Sequence, residues 1–181
     1  MSGWSSFSEE QNFEEIFRRD AKRAIDDLLS QDLTRSYSGF GADCNAEYGD
    51  IFLTALWNEE PDIGKLQEDI GWIAEWNGAF FSDTVFENSK ELSRIRLAVE
   101  DHLEEKYGEL VDESASDNDK FVAYSDEFCS GFMDTVVRIL YLLRQKTPAL
   151  QNTVFLVTDH DEMNSETTAR LKRVTGSDPF S

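Results

Sequence analysis

Thr153-Val-Phe-Leu-Val-Thr158 runs straight into Asp159-His160-Asp161-Glu162. A short β-branched run that is apolar at odd and even positions alike predicts a strand covered on both faces, the signature of a central strand. The four polar residues then mark the point where the strand leaves its sheet. Strong burial and dense charge meet here within a few residues, so the rest of the chain must supply layers on either side.

Those layers are legible in the spacing of apolar residues. Residues 8 to 31 predict an amphipathic helix with Ser8 as N-cap, since Phe13, Ile16, Phe17, Ala21, Ala24, Ile25 and Leu28 recur at three and four. Arg18, Arg19, Lys22 and Arg23 form its basic face, read as a solvated face pairing with nearby acids. Tyr37 to Asp43 and Ile51 to Trp57 read as strands, and Asn45-Ala-Glu-Tyr-Gly-Asp50 has turn chemistry, which makes an antiparallel hairpin. Gly39 and Gly41 alternate with Phe40, as in a strand pressed against another element. They are no dinucleotide fingerprint, because no third glycine follows and no helix opens there.

Pro61 can start a helix that runs to about Ile70. Trp72, Ile73, Trp76, Phe80 and Phe81 follow as an aromatic cluster, either a pocket lining or a satellite core under a loop. Glu87 to Leu110 predicts a second long helix through Leu92, Ile95, Leu97, Val99, Leu103 and Tyr107. Residues 120 to 146 give the clearest helix, with Phe121, Tyr124, Phe128, Phe132, Val136, Ile139, Leu140 and Leu143 in one stripe and Pro148 as its stop. Glu166 to Val174 closes the series, ended by Gly176. The order α-β-β-α-α-β-α implies a single α+β domain over 1–181, with a small, mainly antiparallel sheet packed against several helices. An acidic loop at about 111–119 and a flexible tail at about 176–181 complete it.

Charge bounds the function. Seventeen bases against 37 acids leave a net charge of −20 and an isoelectric point near 4.3. Such a surface repels phosphate backbones and anionic lipid, which argues against nucleic-acid and membrane partners. It attracts and steers a basic protein, and it also serves solubility. No apolar run approaches the roughly 20 residues that span a bilayer, and the first residues carry no secretory pattern. Cys44 and Cys129, without a CxxC, read as reduced thiols of a cytoplasmic protein.

Motifs for chemistry are few. Between Glu100 and Glu127 eleven acids face two lysines, but Asp112, Glu113, Asp117 and Asp119 lack the glycine and terminal glutamate of a calcium loop. Asp159, Asp161 and Glu162 could hold a metal at a strand end, or cap the helix that follows. His102, set among Asp101, Glu104 and Glu105, is expected to have a raised pKa and to be a poor base. There is no GxSxG, HExxH or phosphate-binding lysine motif, so no enzyme is singled out and no cofactor or metal is assigned.

Three segments carry a resemblance. The N-terminal helix with Tyr37-Ser-Gly-Phe, Trp57-Asn-Glu-Glu with Trp72 and Glu75-Trp76, and the close Val154-Phe-Leu-Val-Thr-Asp-His-Asp-Glu together span most of the chain. In that order the chain resembles a small bacterial family of unknown function, four-three-zero-three in the DUF series. Trp57 departs from the small residue expected before Asn58. The resemblance implies a compact acidic protein of the kind that stands beside bacterial toxins as an immunity factor, with no catalytic residues to carry over.

The leading expectation is therefore an acidic interaction protein that binds and neutralises a cognate toxin. Asp159, Asp161 and Glu162, or Asp112, Glu113, Asp117 and Asp119, would steer the partner, with Trp72 and Trp76 as aromatic anchors. A small hydrolase or metal-dependent enzyme at 159–162 is the alternative, and a structural or regulatory scaffold a third.

Overall fold

The computed structural model describes residues 3–111, 118–160 and 162–180. The chain is α+β, and its buried apolar side chains join in one contiguous core. The first helix begins earlier than the periodicity implies and is broken. α1 (Gly3–Gln11) ends at Asn12, which adopts a left-handed φ of 53°, and α2 (Phe13–Gln31) starts afresh. Ser8 is thus buried inside α1 and is no N-cap. Asparagine tolerates that conformation better than most residues, and the break turns Trp4 and Phe7 inward together with Phe13.

β1 (Tyr37–Asn45) and β2 (Asp50–Trp57) form the expected hairpin. After α3 (Ile63–Glu68) and a 3-10 turn (Ile70–Glu75) come α4 (Asp83–Glu87) and α5 (Lys90–Leu110). α6 (Asp119–Lys146), a 3-10 turn (Pro148–Leu150), β3 (Val154–Asp159) and α7 (Asn164–Thr175) complete the order. The sheet order is β2-β1-β3, with β1 antiparallel to β2 and parallel to β3. The sheet is therefore mixed rather than mainly antiparallel. The strand expected at the centre, β3, lies at an edge. Its apolar faces reflect cover above and below, and cover of the faces does not say which strand has two neighbours.

That cover is specific. Phe40 and Phe155 share one face, where Phe155 meets Tyr141 of α6 with ring centroids 5.7 Å apart. On the other face Trp76 lies over Gly39, and Thr54 Oγ1 donates to the Ile73 carbonyl at 2.9 Å. A Cβ at Gly41 would fall 1.8 Å from the Leu156 carbonyl oxygen, so only glycine allows β1 and β3 to pair at this register.

The outer edge of β2 is closed by the segment that follows the 3-10 turn. Ala55 exchanges two backbone hydrogen bonds with Gly78, the Leu53 carbonyl accepts from Phe81 N, and Leu53 N donates to Ser82 Oγ. An edge that would otherwise invite a foreign strand is thus sealed within the chain.

α6 buries Phe128, Phe132, Val136, Ile139, Leu140 and Leu143 as its spacing predicts. α1 docks on it through Trp4, which fills the notch left by Gly131 and donates its indole N–H to Thr135 Oγ1 at 2.9 Å. At the far end Asn164 opens α7 and clamps the α3 end, accepting from Ile70 N at 3.0 Å and donating to the Glu68 carbonyl at 2.7 Å.

Candidate partner-binding cleft

The hairpin turn sets one wall of a cleft. Gly49, at φ 67°, brings the turn so close to α5 that a Cβ there would stand 3.2 Å from Val99 Cγ2. Asp50 then meets Arg96 of α5 at 3.2 Å. Between this turn, α4 and the first turns of α5 lies a cleft of about 400 Å³, lined by apolar groups that include Phe52, Phe86, Leu92, Ile95 and Leu97. Phe52 and Leu97 are 36% and 56% exposed. Phe52 meets Phe80, itself 39% exposed, edge to face at 5.4 Å. Solvated aromatic and leucine side chains gathered at one concavity are the usual anatomy of a contact surface.

The polar lining is acidic. Asp50, Asp83 and Glu87 stand against the single guanidinium of Arg96, which Asp50 already engages. Asp83 and Glu87 sit at i and i+4 of α4, on the same side of the helix, and neither has an ion-pair partner among the described residues. Burial, and secondarily the charge of Glu87, holds the Asp83 carboxyl above the usual carboxylate range. Two like charges at this spacing repel each other. A lysine or arginine placed between them relieves that repulsion, so the cleft can take an apolar side chain with a cation beside it. Ser93, the hydroxyl in its lining, donates to the Ser89 carbonyl at 3.0 Å.

The residues expected to bind are scattered. Glu162 does not face solvent. Its carboxylate pairs with Arg170 and accepts from Thr167 Oγ1 at 2.8 Å, and the Glu162 and Arg170 side chains are each 10% exposed. Trp76 is 8% exposed and serves the sheet by covering Gly39, so it is no anchor. Trp72 is 42% exposed, with the Lys65 ammonium 4.8 Å from its ring centroid. Asp159 ends β3 opposite Cys44, and Asp119 opens α6 on the surface. Asp112, Glu113, Asp117 and Asp161 lie outside the described residues. Among the described residues no group of three or more His, Cys, Asp or Glu side chains is placed to hold a metal ion.

His102 also departs from expectation. Burial, with Lys106 nearby, lowers its pKa, and the surrounding acids act as smaller opposing influences. Its Nε2 lies 2.7 Å from the Tyr124 hydroxyl and its ring stacks on Phe128 at 5.1 Å. His102 is thus part of the packing between α5 and α6. Cys44 is buried and Cys129 half-buried, both as free thiols, and burial pushes the Cys129 thiol up to about 12.

Sequence reasoning misses the cleft for a geometric reason. Leu97 groups by its apolar character with Ile95 and Val99, but two residues along a helix is about 200° of rotation, so it faces away from their stripe. An apolar residue out of phase with its helix is the available signal. Asp83 and Glu87 give none, being two acids among 37. No protein-family model, curated protein or solved structure matches the chain.

Proposed function

We propose that the chain is a binding protein for a basic protein partner, which seats an apolar side chain in the β2–α4–α5 cleft and a lysine or arginine against Asp83 and Glu87. The observation that carries this reading is the coincidence of exposed Phe52, Phe80 and Leu97 with two acids that have no ion-pair partner among the described residues. The net charge of −20 supports it, because a surface of one sign steers an oppositely charged partner into encounter and disfavours nucleic acid. Neutralisation of a cognate bacterial toxin is the narrower form of the proposal, and it rests on the family resemblance. A cytoplasmic setting belongs to the proposal, supported by the two free thiols. No helix among the described residues is long and apolar enough to cross a membrane.

Affinity capture from the source cell, followed by stopped-flow binding at two salt concentrations, tests the reading. Asp83→Asn with Glu87→Gln should slow association and flatten its salt dependence. Leu97→Ala should act on dissociation, speeding it roughly tenfold if the side chain sits centrally. A partner indifferent to all three substitutions, but weakened by neutralising Asp119 or Asp159 or by replacing Trp72, would move the interface to those sites. A partner indifferent to every one of them ends the proposal.

A further inference from the structure

Arg144 stands apart among the cations of this protein. Each of the other bases either has a carboxylate within 4.0 Å or is exposed, among the described residues. Arg144 is half-buried and has no such carboxylate among the described residues. In a chain with 37 acids, a half-buried cation with no carboxylate beside it among the described residues calls for a reason.

Its stem is held firmly. Nε donates to Thr153 Oγ1 at 3.3 Å, Nη2 donates to the Thr153 carbonyl at 2.5 Å, and the guanidinium lies 5.8 Å from the Phe155 ring centroid. These contacts leave Nη1 and the second Nη2 hydrogen without an acceptor among the described residues. Burial lowers the Arg144 pKa, and Tyr141 is a smaller opposing influence.

Arg144 lines a polar cleft of about 340 Å³ between the end of α6, the start of β3 and the end of α7. Gln145, Asn152 and Ser177 join it there, and their side chains make no hydrogen bond among the described residues. This volume is at the small end of ligand cavities, about 300–1,000 Å³. Asp178 lines the cleft too, with one carboxylate oxygen accepting from Phe180 N at 2.9 Å. The C-terminal end of α6, with its negative dipole, lies on the same side. One fixed guanidinium facing these negative groups favours a singly charged, planar oxyanion over a dianion.

We propose that the Arg144 cleft is a binding site for a small monocarboxylate, held by the free edge of the guanidinium and by the amides of Gln145 and Asn152. The site is independent of the partner-binding cleft.

Two-dimensional NMR of the labelled full chain, at constant ionic strength, tests this with N-acetylglycine as the carboxylate. N-acetylglycinamide is the neutral control and inorganic phosphate the dianionic one. N-acetylglycine should give saturable shifts at the Arg144 side-chain N–H and the Asn152 to Val154 amides, and the amide control should give none. Arg144→Gln should raise the dissociation constant about ten- to hundred-fold, as loss of a charge-assisted hydrogen bond does. Arg144→Lys should bind weakly, because an ammonium lacks the fork. The spectrum of each variant reports whether it folds, and the comparison of carboxylate with amide on the unaltered chain needs no variant. Shifts that never saturate, equal binding of the amide, or tighter binding of phosphate would overturn the assignment.

Discussion

Glu162 and Arg170 show how a residue's surroundings decide its role. From sequence, Glu162 is one of several acids after a strand. In the fold it is a nearly buried anion with two donors, Thr167 and Arg170. Removing one partner of a buried pair leaves the other charge without compensation, typically a loss of 3–5 kcal/mol. Arg170 Nε also lies 3.3 Å from Asp134, which softens the loss. Glu162→Gln should therefore destabilise by about 3 kcal/mol in a urea melt, and a loss under about 1 kcal/mol would mean that the pair is open to water. His102 gives a pH signature of definite sign. Its folded pKa lies below the ordinary 6.5, so the native state favours the neutral ring and the unfolded chain binds more protons. The stability tied to His102 is present above that ordinary value and is lost as pH falls through the folded one. Urea midpoints measured across this window should fall more for the native sequence than for His102→Gln, while above about pH 8 the gap between the two should no longer change with pH.

At the scale of elements, close backbone approach carries the sharpest test. Gly41→Ala places a methyl group against the Leu156 carbonyl, a backbone atom that cannot yield without breaking the β1–β3 ladder. The substitution should cost about 3 kcal/mol or more, at the top of the range for overpacking. Hydrogen exchange should show β3 losing protection before the hairpin does. Exchange unchanged at Leu156 and Val157 would contradict the register. The alternation of Gly39 and Gly41 announces this close packing from the sequence, as apolar spacing announces α6 and the hairpin. The mixed sheet is not legible, because burial of both faces of β3 says nothing about its neighbours in the plane. Nor is the break at Asn12, since the apolar period carries across it and only one backbone dihedral marks it. The seal on β2 depends on Gly78 meeting Ala55, a pairing between residues with no shared pattern. The candidate cleft is hidden for the same reason, being assembled from a turn, a five-residue helix and the outward side of a long one.

At the scale of the whole molecule, two electrostatic effects oppose each other, and their magnitudes decide the outcome. Ion pairs within the chain favour the fold, but most are solvated. Lys22–Asp26 has side chains 62% and 58% exposed, and Arg138–Glu14 has 45% and 52%. Exposed pairs contribute about 0–1 kcal/mol each, and salt weakens them. Against them stands the mutual repulsion of 37 acids offset by only 17 bases, which compaction brings within a few Debye lengths of one another. Repulsion acts over longer range and between more groups, so screening removes more repulsion than attraction. Raising sodium chloride from about 0.01 M to about 0.3 M, where the Debye length shrinks from about 30 Å to below about 8 Å, should therefore stabilise the protein. Each 1 kcal/mol of relieved repulsion appears as about 2–4 °C in Tm for a chain of this size. The rise should level off once the Debye length is comparable with the spacing between surface charges. A Tm that falls over the same range would show that the ion pairs outweigh the net charge. Close ion pairs would then contribute more to the fold than their exposure implies, while the net charge of −20 would still set the long-range field that the proposed partner meets.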